Sequence, residues 1–494
     1  MKTAKTVKRI LSCVLSLIMA MSVCLIPASA ADDATVGPLA NPIDPEYPTV
    51  VVRGMNFGGL YLNVGTDEQE GLIREFNFGE LMSAIGKTIW SGVTKFSMDA
   101  AMDEVIAYVD HLLGRLACDA DGNSVYDASP ILYPGNASKY PELYDSEVIG
   151  AEEGIVKSLA WRYGPEHVYY YVYDWRLNPL DNADDLEATI QLAMSEHNCD
   201  KVNIVCASMG GMQTVSYMSK YGYDNINSIL FVSAAFRGAY VPSDCMRGKI
   251  YIGDDTLYNF VAHAVEGNGF ASSLVTAAKY SGVFKIASVI ANKFVAKYQQ
   301  KVVDDFLVET LGTLTGFWAL VTVENFEECY KFMFEGREEE YAGVAAIARE
   351  LYEMNCSAEE MLLEAAESVK IGVSAHYDTP LIPVYERACA NGDGILETGA
   401  VSGGATIADY GKTLDVEEGR YVSPDKVVDA STAMFPDYTW FIKDAPHVPG
   451  RPDGDYDDFI TWFLEYEGQP TVDSNAAYPQ FMICDAAEKL SIME

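Results

Sequence analysis

Basic residues are scarce in this chain. The sequence holds 34 Lys and Arg against 72 Asp and Glu, so its formal net charge is −38 at pH 7. This balance excludes nucleic-acid binding, because no basic stripe exists to neutralise a run of phosphates. The long-range negative field would also repel an anionic lipid surface, and it favours solubility of an exported protein.

Metal-binding cysteine pairs are missing as well. None of the ten cysteines belongs to a C-x-x-C pair, which argues against a structural zinc site. The stretch "DADGNSVYD" at 119–127 begins like a calcium loop but lacks a Glu at the twelfth position, so it is interpreted as a turn. The eight cysteines beyond residue 30 permit disulfides of unspecified pairing, although small buried thiols are the preferred interpretation. We expect no metal and no cofactor.

Long apolar runs are confined to the N-terminus. A basic start (Lys2 to Arg9) precedes the uncharged run "ILSCVLSLIMAMSVCLIP", and "ASA" then ends at Ala30. This order is typical of a signal peptide, although the run is long enough for an uncleaved anchor to be the alternative. We predict that residues 1–30 are removed after Ala30, which gives a secreted protein with no integral membrane span.

The rest of the chain alternates between strand and helix patterns. Apolar β-branched and aromatic runs at 49–52, 167–175, 201–208 and 226–236 predict strands, and the helical periodicity at 182–197 and 210–222 predicts intervening helices. This β-α-β-α-β alternation predicts a parallel sheet with right-handed crossovers. Strand patterns return at 369–377 and 438–444, and 455–468 predicts a closing helix.

These patterns predict an α/β fold whose mostly parallel sheet is interrupted by helical segments. Helical spacing of apolar residues dominates 70–116 and most of 255–368. The predicted organisation is an extended leader at 31–48, a first core part at 49–236 with a helical insertion at about 70–150, a helical cap at 237–368, and a second core part at 369–494. A helical block at this place would cover the carboxyl ends of the strands, where such sheets bind ligands.

One serine stands between a predicted strand and a predicted helix. In "VNIVCASMGGM" (202–212), Ser208 and Gly210 match the last two fixed positions of G-x-S-x-G, the turn that exposes the nucleophile of many hydrolases. Cys206 replaces the first glycine. Because cysteine is small and commonly buried, we interpret it as a tolerated variant and Ser208 as the candidate nucleophile.

The search for a general base is short, because the chain has only six histidines. His447 follows the last predicted strand in a loop bounded by Pro and Gly, as the order Ser, acid, His requires. His376 ends the strand at 369–377 and is the less suitable alternative. His447 is therefore the predicted base.

The predicted acid lies in the loops that follow 369–377. Asp393 occupies the glycine turn "NGDGIL", where Ile395 and Leu396 could anchor it by packing, and Asp378 in "HYDTP" is the alternative. The backbone N–H groups of Met55 and Met209 are the predicted oxyanion donors. Asn56 could substitute for Met55.

Several of these segments together resemble a known family. "YDWR" (173–176) at a strand end, "CASMGG", "GDG" followed by aliphatics, "VVVRGM" (50–55) and the late His447 resemble the lecithin:cholesterol acyltransferase-like branch of the α/β-hydrolases. The resemblance implies an α/β-hydrolase fold with helices on both faces and a helical cap, the triad Ser208, Asp393 and His447, and acyl transfer from a lipid ester to water or an alcohol. The chain departs from that pattern at Cys206, and at Arg53, where Pro or His is more usual.

The sequence thus predicts a secreted serine hydrolase that cleaves carboxylic esters, lipid or acyl esters foremost, through an acyl-enzyme. The alternatives are a catalytically silent binding protein, an acyltransferase or an amidase on the same fold. The apolar stretch "TGFWALVTVENFEECYKFMF" (315–334) is expected to cover the pocket and receive an acyl chain, or else to be an ordinary packed helical subdomain. We also expect transient contact of the cap with a lipid surface; the sequence leaves the oligomeric state open.

Overall fold

The computed structural model describes residues 42–73, 110–111, 113–145, 151–303, 307–451 and 454–494. The predicted signal peptide (1–30), most of the leader (31–48) and most of the helical pattern at 70–116 therefore lie outside the described residues. What the sequence predicts for these segments therefore remains a prediction.

The described residues have an α/β architecture with helices on both faces of a central sheet. The strands are β1 (Thr49–Val52), β2 (Leu60–Leu62), β3 (Glu70–Gly71), β4 (Ala128–Pro130), β5 (Val168–Tyr171), β6 (Val202–Ala207), β7 (Ile226–Val232), β8 (Lys370–Tyr377), β9 (Thr379–Pro380), β10 (Asn391–Gly392), β11 (Thr406–Ile407), β12 (Val428–Asp429), β13 (Thr439–Lys443), β14 (Phe481–Cys484) and β15 (Leu490–Ile492). The α-helices are α1 (Glu142–Asp145), α2 (Ala151–Tyr163), α3 (Pro179–His197), α4 (Gly210–Tyr221), α5 (Tyr240–Met246), α6 (Asp254–Ala264), α7 (Gly269–Tyr280), α8 (Val283–Val302), α9 (Thr315–Ala319), α10 (Phe326–Phe334), α11 (Ala342–Ala365), α12 (Thr398–Val401) and α13 (Asp455–Glu465).

The central sheet has eight strands in the order β15-β14-β13-β8-β7-β6-β1-β5. All neighbouring pairs are parallel except β14 with β15, which is antiparallel at one edge. The chain runs from β1 outward to β5 and then returns to β6 on the other side of β1. A crevice opens at such a reversal, beyond the carboxyl ends of the strands, and this is where open α/β sheets bind ligands.

Two apolar cores fill the space between the sheet and its helices. One face packs against α3, α4 and α11, and the other face packs against α2 and α13. Since both faces are covered, β1, β6 and β7 are buried at every position except Asn227, which explains why these strands are mostly apolar in the sequence.

Local signals in the sequence set the limits of the helices. In α3, Pro179 occupies the first turn, the Asn178 side chain accepts a hydrogen bond from the backbone N–H of Leu180, and Asn198 ends the helix with a left-handed φ of 51°. The strands predicted at 201–208 and 369–377 are observed at 202–207 and 370–377. The last two strands, β14 and β15, were not predicted.

The region between β7 and β8 is mainly helical, in two parts. Helices α6 to α8 form a satellite unit with a small core of its own around Ile252, Leu257 and Ala287. Residues 315–334 are different, because Trp318, Phe326 and their apolar neighbours are buried in the main core. Of the two interpretations given to 315–334, the packed subdomain fits these contacts, and a cover that receives an acyl chain does not.

The described cysteines beyond residue 30 are all unpaired thiols: Cys118, Cys199, Cys206, Cys245, Cys329, Cys356, Cys389 and Cys484. At 119–127 the Asp119 carboxylate accepts hydrogen bonds from the backbone N–H groups of Asp121 and Asn123, which forms the predicted turn. Within the described ranges, no cluster of His, Cys, Asp or Glu has the arrangement of a metal site.

No single helix among the described residues is long and apolar enough to cross a membrane. A bent pair, Gly269–Tyr280 with Val283–Tyr298, reaches that length and composition only when its two helices are taken together.

A buried ion pair lies just after β5, in a segment that also contacts the helical region. Arg176 is fully buried and donates from Nε and Nη2 to the Asp174 carboxylate, at 3.0 and 2.6 Å. The backbone carbonyl of Arg176 accepts a hydrogen bond from Gly316 N–H at 3.0 Å, at the start of α9. The "YDWR" segment therefore anchors α9 onto the sheet, which is a structural role.

Replacing Arg176 by Ala should destabilise the protein strongly, because the buried Asp174 carboxylate would lose its counter-charge. We expect the free energy of unfolding to fall by about 3–5 kcal/mol, measured from urea transitions. The control is Arg420→Ala, which removes an exposed arginine paired with Asp437 and Asp473 and should cost no more than about 1 kcal/mol. Equal losses in the two variants would contradict the stabilising role of the buried ion pair.

Candidate active site

Ser208 lies in a tight turn between β6 and α4. Its φ is 54°, in the left-handed region that residues with a side chain rarely adopt. Three backbone hydrogen bonds hold this conformation: Ser208 N–H donates to Val232 O at 3.2 Å, and Ser208 O accepts from Gly211 N–H at 3.2 Å and from Ala235 N–H at 2.8 Å. Such strained positions are frequent at functional sites, and this one presents Ser208 at the carboxyl end of β6.

Close backbone packing explains the glycines around the turn. A Cβ atom on Gly210 would lie 2.4 Å from Val52 O, and one on Gly54 would lie 2.7 Å from the Ser208 Cβ. Val52 and Cys206 are partners in the parallel register of β1 and β6, so the loop after β1 meets the Ser208 turn directly.

Cys206 itself points into the apolar core and is fully buried, which agrees with its interpretation as a tolerated variant.

Asp393 and His447 are brought together from two different loops. Asp393 Oδ2 accepts a hydrogen bond from His447 Nδ1 at 2.7 Å, and Asp393 Oδ1 accepts from the backbone N–H groups of Ile395 and Leu396 at 2.9 and 2.8 Å. Burial raises the pKa of Asp393, but the His447 charge and these hydrogen bonds outweigh it, so the pKa lies below its usual range. The turn holds Asp393 through backbone N–H groups. Of the two side chains predicted to anchor it, Leu396 is buried in the main core and Ile395 is exposed.

The two alternative residues have other partners. Asp378 forms an ion pair with Lys443, with 3.0 Å between Oδ2 and Nζ. His376 is buried, and its Nδ1 lies 2.7 Å from the carbonyl oxygen of Pro446, the residue before His447. Burial lowers the pKa of His376 to about 4, so this imidazole is neutral at pH 7. His376 therefore positions the loop that carries His447.

The second nitrogen of His447 takes no part in the hydrogen bond to Asp393. His447 Nε2 is buried and has no hydrogen-bond partner among the described residues, and Ser208 Oγ likewise forms no hydrogen bond with it there. Catalytic hydrogen bonds are often long in unliganded enzymes and shorten when substrate binds. Burial lowers the pKa of His447, but the charge of Asp393, its hydrogen bond and the charge of Glu152 together raise it above its usual value.

The two predicted oxyanion donors flank Ser208. Met209 follows Ser208 at the start of α4, and Met55 follows Gly54 in the loop after β1. Within the part of the chain that the structure describes, neither backbone N–H donates to an acceptor. The loop after β1 is held in place at Asn56, the residue after Met55, because the Asn56 carbonyl accepts a hydrogen bond from Trp175 Nε1 at 3.0 Å.

A second carboxylate lies beside the serine. Glu152 Oε1 accepts a hydrogen bond from Gly54 N–H at 2.8 Å, and Glu152 Oε2 lies 3.1 Å from Arg53 Nε. Arg53 is shared, since its Nη2 lies 3.1 Å from Glu153 Oε1. Burial is the largest influence on Glu152 and raises its pKa to about 7, because one guanidinium between two carboxylates does not fully offset it.

The sequence did not indicate Glu152 as part of the site; it gave His376 only as the alternative base and Arg53 only as a departure from the family pattern. Glu152 begins α2, where acidic residues are common because they favour the helix dipole. Only the packing of the folded chain identifies Glu152 as a neighbour of the site. A Cβ atom on Gly154 in α2 would lie 2.1 Å from Gly450 O, so α2 packs tightly against the loop that carries His447.

A separate cavity of about 710 Å³ lies at the opposite edge of the sheet. Its lining includes Tyr47, Asn203 and Lys370, which stand at the amino ends of the strands. The strand directions place this cavity away from Ser208, so it is not part of the site described here.

Comparison with known proteins adds little to this geometry. No family model matches the chain. No curated protein matches it either. A solved structure described as "The crystal structure of Tle4-Tli4 complex" shares 12% sequence identity and a TM-score of 0.32, over 68% of this chain and 75% of that one. A likeness at this level supports no conclusion about fold or activity.

Glu152→Gln should shift the pH profile of hydrolysis of a short p-nitrophenyl ester, the activity that the sequence predicts. The base must be neutral, and Glu152 raises the pKa of His447. Removing this charge should therefore move the acidic limb of kcat/KM to lower pH, by roughly half a unit to one unit. Glu153→Gln is the matched control, since it also removes an Arg53 partner. If the acidic limb of the kcat/KM profile does not move in Glu152→Gln, or if it moves equally in both variants, the role of Glu152 is contradicted.

Asp393→Asn should lower kcat/KM for the same ester by on the order of 10³-fold or more, because the imidazole would lose the carboxylate that fixes its tautomer and stabilises its charge. The matched control is Asp378→Asn, which removes the nearby carboxylate paired with Lys443. Asp378→Asn should retain most of the activity. A loss as large as that of Asp393→Asn would mean that the acid is assigned wrongly.

Proposed function

We propose that this chain is a serine hydrolase of α/β-hydrolase fold that cleaves carboxylic esters. The observation that supports it best is the Ser208 turn at the carboxyl end of β6, together with an imidazole, His447, that Asp393 holds through Nδ1. The order Ser208, Asp393, His447 along the chain is the order used by α/β-hydrolases. The similarity to the lecithin:cholesterol acyltransferase-like branch is part of the proposal and depends on the sequence motifs.

Each predicted site residue has its own role in the reaction. Ser208 Oγ attacks the ester carbonyl carbon while His447 Nε2 takes its proton, and the Met55 and Met209 amides stabilise the negative oxygen. When the bond to the alcohol breaks, the same Nε2 returns the proton to the leaving oxygen. Water then attacks the acyl-enzyme with His447 again acting as base, which releases the acid and restores Ser208.

The neighbouring charges suit this cycle. The Asp393 carboxylate is ionised and buried, so it stabilises the imidazolium that forms when Ser208 loses its proton. His376 holds the loop that carries His447, because His376 Nδ1 forms a hydrogen bond with the Pro446 carbonyl oxygen. We propose water as the acceptor and a lipid or acyl ester as the substrate, and the apolar N-terminus supports export of the protein.

Ser208→Ala should abolish labelling by a fluorophosphonate probe and lower p-nitrophenyl ester hydrolysis by at least about 10³-fold, because the nucleophile is lost. Ser216→Ala is the control, since it removes a buried hydroxyl from α4, the helix that follows the Ser208 turn, and this hydroxyl bonds to the Met212 carbonyl of its own helix. Labelling should persist there. If the parent protein neither reacts with the probe nor hydrolyses esters, it is a binding protein and the proposal is wrong.

A further inference from the structure

One segment of the chain has a charge opposite to the rest. Residues 269–302, here called the cationic segment, contain five lysines and no Asp or Glu, whereas the whole chain carries −38. The segment comprises α7 and α8. Its exposed lysines Lys285 and Lys293 have no carboxylate partner among the described residues.

The same segment exposes large apolar side chains. Two of the most exposed in the described structure are Tyr280 at 87% and Phe270 at 82%. The others in the segment are Leu274, Val283, Ile286 and Val289, each about half exposed or more. Single exposed apolar residues are normal on a protein surface, but a run of six in consecutive helices indicates an interaction site.

The apolar and cationic side chains of α8 share one side of the helix. Val283, Ile286 and Val289 recur at a spacing of three, and at 100° per residue Lys285 and Lys293 fall within the same exposed arc. The opposite side of α8 packs against α6 through Ala287 in the satellite core. An exposed face with apolar residues and lysines, on a helix held to the protein by its other face, is typical of helices that lie in a membrane interface.

We propose that the cationic segment docks this protein onto anionic lipid surfaces. Its apolar side chains would enter the boundary between headgroups and acyl chains, and its lysines would lie at the level of the phosphates. The chain's overall negative charge does not prevent this, since exposed charges beyond about 8 Å are largely screened at physiological salt. The local charge of the segment therefore decides the interaction.

The position of the segment connects this surface to the predicted site. Helix α6, which packs against α8, lies against β9, and β9 pairs with β10 immediately before Asp393. A backbone hydrogen bond of 3.2 Å from Tyr251 N–H to Val384 O fixes the approach to α6 on the same loop. Docking would bring the carboxyl edge of the sheet to the lipid. Binding does not require hydrolysis, so this inference is independent of the proposed function.

The test is co-sedimentation of the full chain with vesicles of phosphatidylcholine, alone or mixed with phosphatidylglycerol. We expect stronger binding to the anionic vesicles, weakened by added salt. Lys285→Glu with Lys293→Glu should lower binding to anionic vesicles by on the order of tenfold or more. Leu274→Ser with Ile286→Ser should lower binding to both kinds of vesicle. All variants share one N-terminus, so its apolar residues contribute equally.

Matched controls separate the segment from general surface effects. Lys331→Glu with Lys412→Glu changes two exposed lysines elsewhere, and Val125→Ser with Leu132→Ser changes two exposed apolar residues elsewhere. Both pairs should bind like the parent. Equal losses in the control variants, or no preference for anionic vesicles, would overturn the proposal.

Hydrolysis is tested separately from binding. Ser208→Ala should bind vesicles like the parent. Binding without hydrolysis by the parent would contradict the proposed function alone, and hydrolysis of a soluble ester without binding would contradict the docking proposal alone.

Discussion

The close approach between the loop after β1 and the turn after β6 determines where the rest of the site can lie. The parallel pairing of Val52 with Cys206 leaves no room for a side chain on Gly54 or Gly210, and it holds Ser208 in a left-handed conformation. Since this crowding comes from sheet register and buried strands, the position of Ser208 is fixed by the most stable part of the fold. The other groups approach it on loops.

A shortage of positive charge shapes the electrostatics of the molecule. With 72 acidic and 34 basic residues, many cations must serve two carboxylates. Arg53 lies between Glu152 and Glu153, and Lys443 between Asp378 and Asp425. A carboxylate that shares its cation is less stabilised when buried, which is why the pKa of Glu152 rises toward neutrality. In this way an acidic composition places a titratable group beside the predicted base.

The sequence predicted those features that depend on local pattern or chain order. Apolar runs identified the buried strands, and the order of the loops identified Asp393 and His447, which the structure then joins by a hydrogen bond. Glu152 could not be predicted, because its contact with Gly54 joins positions 98 residues apart and depends on the packing of α2. The last two strands were missed because both are short: β14 is an apolar run of only four residues, and β15 has three residues that are not buried.

The two parts of the interrupting region act on the site differently. Residues 315–334 are embedded in the main core and held by the Arg176 carbonyl, so they support the sheet. The satellite unit of α6 to α8 has a separate small core and is tied to the loop that leads to Asp393. The predicted nucleophile therefore lies in a turn fixed by the sheet, whereas the predicted acid and base lie on loops, and the loop that leads to Asp393 contacts the unit that carries the cationic segment.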